Sequence, residues 1–79
     1  MAKEVRFPKF GMSTVEVYVS QIFVNVGDRI AVGDPLVEVE TDKVTLIMDS
    51  EVSGVITQVN VVKDGEYEVG DIVCLIADS

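Results

Sequence analysis

The chain has no histidine, no tryptophan and one cysteine, and only six of its 79 residues are basic against fourteen acids. Each shortage excludes something. Without histidine, no side chain titrates unaided near neutral pH for acid–base work, and no nucleophile–base pair is visible. One cysteine, Cys74, cannot form an internal disulfide, so a reducing cytoplasm is expected. A matrix protein whose leader had been removed would look the same. The formal charge of −8 argues against nucleic acid, whose phosphates call for a basic face, and against docking on anionic lipid. No run of eighteen apolar residues is present to span a bilayer. The opening MAKEVRF has the composition of neither a signal nor a transit peptide. With three Phe, two Tyr and no Trp, the core must come mostly from Val, Ile and Leu.

What is present is period-two alternation. Val15, Val17 and Val19 oppose Glu16 and Tyr18 in a strand over Thr14–Val19. Val37, Val39 and Thr41 oppose Glu38 and Glu40 in Leu36–Thr41. In Val55–Val61, the residues Val55, Thr57, Val59 and Val61 oppose Ile56, Gln58 and Asn60. Ile72–Ala77 is an apolar run that reads as a buried strand, and Val44–Met48 as a further one. β-branched residues dominate, as pleated half-buried surfaces favour. Gly27-Asp28, Gly33-Asp34, Asp64-Gly65 and Gly70-Asp71 mark tight turns. Short strands separated by such turns predict one all-β domain over residues 1–79, a flattened barrel or sandwich of two antiparallel sheets.

The turns also betray a repeat. Val24–Val39 (VNVGDRIAVGDPLVEV) returns as Val59–Ile76 (VNVVKDGEYEVGDIVCLI), with Val-Asn-Val on Val-Asn-Val and two extra residues in the second copy's first turn. Two such halves predict internal pseudo-two-fold symmetry.

Lys43 is the only cation between Arg29 and Lys63, and it lies at the seam of the two copies. Asp42-Lys43 joins two predicted strands as a two-residue hairpin connection. Hairpin tips favour Asn-Gly or Asp-Gly, so Asp-Lys indicates selection for something besides turn stability. An exposed lysine that blunts edge pairing is the plain reading. A catalytic lysine would need a lowered pKa, and neighbouring acids do the opposite. The remaining reading is a covalent attachment point.

These residues resemble the lipoyl domain of the acyltransferase component of 2-oxo acid dehydrogenase complexes, over essentially the whole chain. The family's Glu-Thr-Asp-Lys-Ala reads here Glu40-Thr41-Asp42-Lys43-Val44, with Gly27 sixteen residues before the lysine. Gly33-Asp34 and Gly54 match family turn positions, and FPKFGMS matches the family's opening with Gly11 in place. Gly70-Asp71 repeats the first of these turns in the second copy. The resemblance implies lipoate joined by an amide to Lys43. It implies recognition by modifying enzymes and partners through Glu40, Thr41, Asp42, Val44 and Gly27, and through Met12 and Ser13 in the Lys9–Thr14 loop. The implied partners are a thiamine-diphosphate-dependent decarboxylase, an acyltransferase core, a dihydrolipoamide dehydrogenase and a lipoate ligase or lipoyl transferase. The domain itself would be a non-catalytic, monomeric carrier. Val17, Val44, Ile47 and Asp49–Glu51 depart from the usual pattern, which bears on which complex is served. A biotinyl carrier shares the fold, but its lysine stands in Met-Lys-Met. An unmodified hybrid-motif interaction module is the other alternative. Cys74, in an apolar strand, reads as a buried small hydrophobe.

Overall fold

The computed structural model describes residues 2–8, 16–41 and 44–78. The expectations placed on Gly11, Met12, Ser13, Val15, Asp42 and Lys43 lie outside the described residues. Eight strands are described: β1 (Ala2–Arg6), β2 (Glu16–Ile22), β3 (Arg29–Ile30), β4 (Pro35–Glu40), β5 (Thr45–Asp49), β6 (Gly54–Val59), β7 (Glu66–Glu68) and β8 (Ile72–Ala77). They form two four-stranded antiparallel sheets, ordered β1-β8-β6-β3 and β5-β4-β2-β7. This is the flattened all-β sandwich that the alternation predicts.

The predicted strand faces hold where the chain is regular. Val17, Val19, Val37 and Val39 are fully buried, while Glu38, Glu40 and Tyr18 point outward and are half-buried. β6 departs from expectation. Ile56 is buried, whereas Thr57 is exposed and Val59 half-buried. The cause is a bulge: Ile56 pairs with Ile76 but Gln58 pairs with Leu75, leaving Thr57 without a partner. One extra residue reverses the side-chain phase beyond it, so Ile56 and Val61 both face the core.

The pseudo-two-fold appears in the hydrogen bonds. β1, β8, β6 and β3 of one sheet take the places of β5, β4, β2 and β7 in the other. Phe23 N donates to Leu36 O at 2.9 Å, and Asn60 N to Val73 O at 2.8 Å. Ser20 is the bulged residue of β2, as Thr57 is of β6. Each hydroxyl lies 3.3 Å from the facing carbonyl, Ser20 Oγ from Glu38 O and Thr57 Oγ1 from Leu75 O, although Ser20 Oγ has the nearer acceptor in Glu38 Oε1 at 2.8 Å. Leu36 and Val73 are the extra residues at the bulges of β4 and β8. These pairs (20 with 57, 23 with 60, 36 with 73) share one spacing of 37 residues.

That constant spacing corrects the repeat alignment. Val24 corresponds to Val61, both buried, and not to Val59. The two first turns have equal length, closed by Asp28 N to Asn25 O and by Gly65 N to Val62 O. Val-Asn-Val recurs by chance, two residues out of register with the fold.

Between the sheets lies one apolar layer, to which fourteen of the described residues contribute buried side chains. Phe7, Leu36, Ile56 and Ile76 are the largest that are fully enclosed. Burying such a side chain stabilises by roughly 1.5–3 kcal/mol, so this layer is the main support for the elements that carry the site.

Candidate functional site

β4 and β5 pair in register from Val37↔Met48 through Glu38↔Ile47 and Val39↔Leu46 to Glu40↔Thr45. One further rung closes the ladder, Thr41 N donating to Val44 O at 2.8 Å. The Thr41 hydroxyl lies 3.3 Å from both Val44 N and Val44 O, accepting from the first and donating to the second. Two residues, Asp42 and Lys43, join these bonded ends. β-branched and apolar residues make the ladder rigid, because Val37, Val39 and Met48 are held in the core.

The structure thus brings Glu40, Thr41 and Val44 together. Glu40 and Thr41 are half-buried, and Val44 is 47% exposed. Ile47, on the same strand, is 48% exposed. Gly27 is placed elsewhere: its N–H donates to Ile56 O in the other sheet at 2.8 Å. Gly54 starts β6 with φ +156. Gly33 and Gly70 occupy equivalent turns, donating to Ser50 O and Phe7 O. In those turns Asp34 accepts from Ala31 N at 2.8 Å and Asp71 from Glu68 N at 2.9 Å. Asp28 likewise accepts from Asn25 N. Each of these three aspartates thus accepts a bond from a backbone amide three residues before it. Among the described residues no cluster of three metal-ligating side chains occurs.

Beside Glu40 stands a residue that the sequence reading passed over. Tyr18 of β2 pairs with Glu40 on one side and Glu66 of β7 on the other. Its hydroxyl donates to Asp64 Oδ1 at 2.5 Å. That bond, then desolvation and the charges of Asp64, Glu40 and Glu66, raise the Tyr18 pKa above its ordinary value. The outward phase of Tyr18 was visible in the alternation, but its partner lies 46 residues away and carries no local signal. Cys74 is fully enclosed, and burial pushes its thiol up to about 11. At neutral pH it is a hydrophobe, as expected.

A family model for biotin-requiring enzymes, the biotin/lipoyl attachment domain, matches residues 3–76. The chain belongs to the biotin/lipoyl attachment family. Relatives divide that family further. The chain is 38% identical, over all of its 79 residues, to the dihydrolipoyllysine-residue acetyltransferase component of the pyruvate dehydrogenase complex of Corynebacterium glutamicum. It is 39% identical over 84% of its length to the succinyltransferase component of the 2-oxoglutarate dehydrogenase complex of Bartonella vinsonii. It is 32% identical over 94% to the lipoamide acyltransferase component of the branched-chain complex of Bacillus subtilis. It spans 12%, 16% and 18% of those proteins. Within the biotin/lipoyl family the chain is therefore a lipoyl-type domain. The biotinyl and unmodified-module alternatives are not favoured.

Proposed function

We propose that this domain carries lipoate in amide linkage on Lys43. The observation that carries the reading is the closed rung between Thr41 and Val44, with the two central residues of Glu-Thr-Asp-Lys-Val between its ends. The flanking residues fit such a group. An amide on a lysine amine needs no cavity, only a firm base and approach from solvent. Thr41 and Val44 are bonded to each other, and Val44 is half exposed. When bound, the lipoyl group supplies a disulfide that takes up an acyl group and two electrons.

The chain's own part is presentation. Its rigid ladder offers the anchor to a lipoate ligase or lipoyl transferase. It then offers the loaded arm to a thiamine-diphosphate-dependent decarboxylase, an acyltransferase core and a dihydrolipoamide dehydrogenase. The similarity to acyltransferase components of 2-oxo acid dehydrogenase complexes supports partners within such a complex, and the domain itself performs no catalysis. Met12 and Ser13 are proposed as partner-discriminating residues, and Gly27 as one that acts from the opposite sheet.

Incubation of the chain with lipoate ligase, lipoate and ATP, followed by intact mass, tests the reading. One lipoyl increment is expected on wild type and none on Lys43→Ala, with equal melting temperatures for the two unmodified proteins. An unmodified wild type, or an increment that survives in Lys43→Ala, refutes it.

A further inference from the structure

The halves of the fold provide an internal control for the Tyr18–Asp64 contact. By the constant spacing, Tyr18 corresponds to Val55 and Asp64 to Gly27. Both turns are held by the same backbone bonds. Gly27 N donates to Ile56 O at 2.8 Å and Ile56 N to Asp28 O at 2.9 Å. Asp64 N donates to Val19 O at 2.7 Å and Val19 N to Gly65 O at 2.9 Å. The first half makes this turn with no bridging side chains, so the fold does not require the bridge.

The second half nevertheless places a strained residue there. Asp64 has φ 67, and among the described residues it is the only non-glycine with positive φ. Glycine would serve the backbone with less strain. An outlier kept where the equivalent turn uses glycine points to a use for its side chain. That use is visible: the Asp64 carboxylate fixes the Tyr18 hydroxyl at 2.5 Å. Tyr18 stands directly across from Glu40, and Glu40 is the third residue before Lys43. At the equivalent place in the other sheet Val55 faces Ala77, with no aromatic ring and no acid.

We propose that the Tyr18–Asp64 pair is a specificity-determining element read, beside Glu40, by the enzyme that attaches the lipoyl group. This rests on the carrier reading above. Asp64 and Tyr18 act in series. The carboxylate holds the phenol, and the phenol presents a fixed aromatic ring between Glu40 and Glu66. A ring flanked by carboxylates suits an arginine or lysine of the partner, by cation–π attraction and charge.

Steady-state kinetics of lipoate ligase, with the unmodified chain as varied substrate and lipoate and ATP saturating, test the proposal. Tyr18→Phe keeps the ring and loses the hydroxyl. Asp64→Gly copies the first half. Each is expected to raise KM for the chain about two- to tenfold, the worth of one hydrogen bond, with kcat retained. Asp64→Asn still accepts from the phenol and should recover most of what Asp64→Gly loses. Melting temperatures separate folding from recognition, because a merely structural bridge would move Tm and leave KM alone. Wild-type KM values in both Tyr18→Phe and Asp64→Gly overturn the proposal and leave the carrier reading standing. A wild-type chain that takes no lipoyl group overturns both.

Discussion

In the first half the amide of Asn25 meets the carboxylate of Asp28 at 2.8 Å. At the equivalent place in the second half the amide of Val62 meets the phenol of Tyr67, also at 2.8 Å. Gly65 stands where the first half has Asp28, and a side chain there would come within 2.8 Å of the Tyr67 ring. One backbone donor is thus satisfied by a short acid in one copy and by a distant ring in the other. The frame requires that the N–H find an acceptor, and it leaves open which residue provides it. Other positions differ in the same way. Val17 fills core space where the second half has Gly54, and Val37 corresponds to Cys74, both fully buried.

The largest expected effect comes from forcing the halves to agree at Gly54. A Cβ there would lie 2.1 Å from Ala77 O and 2.8 Å from Ile76 Cγ2. β8 lies in the middle of its sheet and has nowhere to retreat. Gly54→Val should therefore lose at least about 4 kcal/mol, a large share of the stability of so small a domain, read by urea denaturation. The reverse change, Val17→Gly, removes a packed side chain and frees the unfolded backbone. Its expected loss is about 3 kcal/mol in the same measurement. A smaller loss at Gly54 than at Val17 would break the claim that the two positions differ by backbone approach.

Cys74 sharpens the comparison through pH. Its thiol titrates near 11 in the fold against an ordinary value of 9.0. The unfolded chain then gives up its proton first. The stabilisation is complete below pH 9 and is lost as pH rises towards 11, by roughly 2–3 kcal/mol. Cys74→Val, which copies Val37, should remove that part of the alkaline slope and change stability at pH 7 by less than about 1.5 kcal/mol. Denaturation curves between pH 7 and 11 decide it. Gly27→Asp should have the smallest effect. Nothing lies within 4 Å of a Cβ at Gly27, so only the strain of its φ of +97 remains, about 1 kcal/mol, visible as a few degrees in Tm.

The long strands and the turns were legible because each is written locally. Valines two apart in β2 and β4 mark buried faces, and Gly-Asp pairs mark chain reversals. β3 and β7 escaped notice, because two and three residues are too few for a period to show. The phase of β6 was misread because a bulge inserts a residue without a compositional mark. Comparison of Thr57 with Ser20 would have exposed it, but only under the correct repeat spacing. At the site, Glu40, Thr41 and Val44 were legible as a motif on a hairpin. Tyr18 and Asp64 were not, since their meeting depends on how β2 and the Val62–Gly65 turn come together in the fold.

The four bulges among the described residues have a mechanical consequence. A strand that slid by one residue would have to carry its bulge along and turn every later side chain over. Leu36 sits at such a point in β4, and Ser20 at another on its neighbour β2. They act as detents on both sides of the segment that leads to Thr41. If Lys43 carries the arm proposed above, the strand segment before it is pinned in one register, and the arm would start from a base that does not slide.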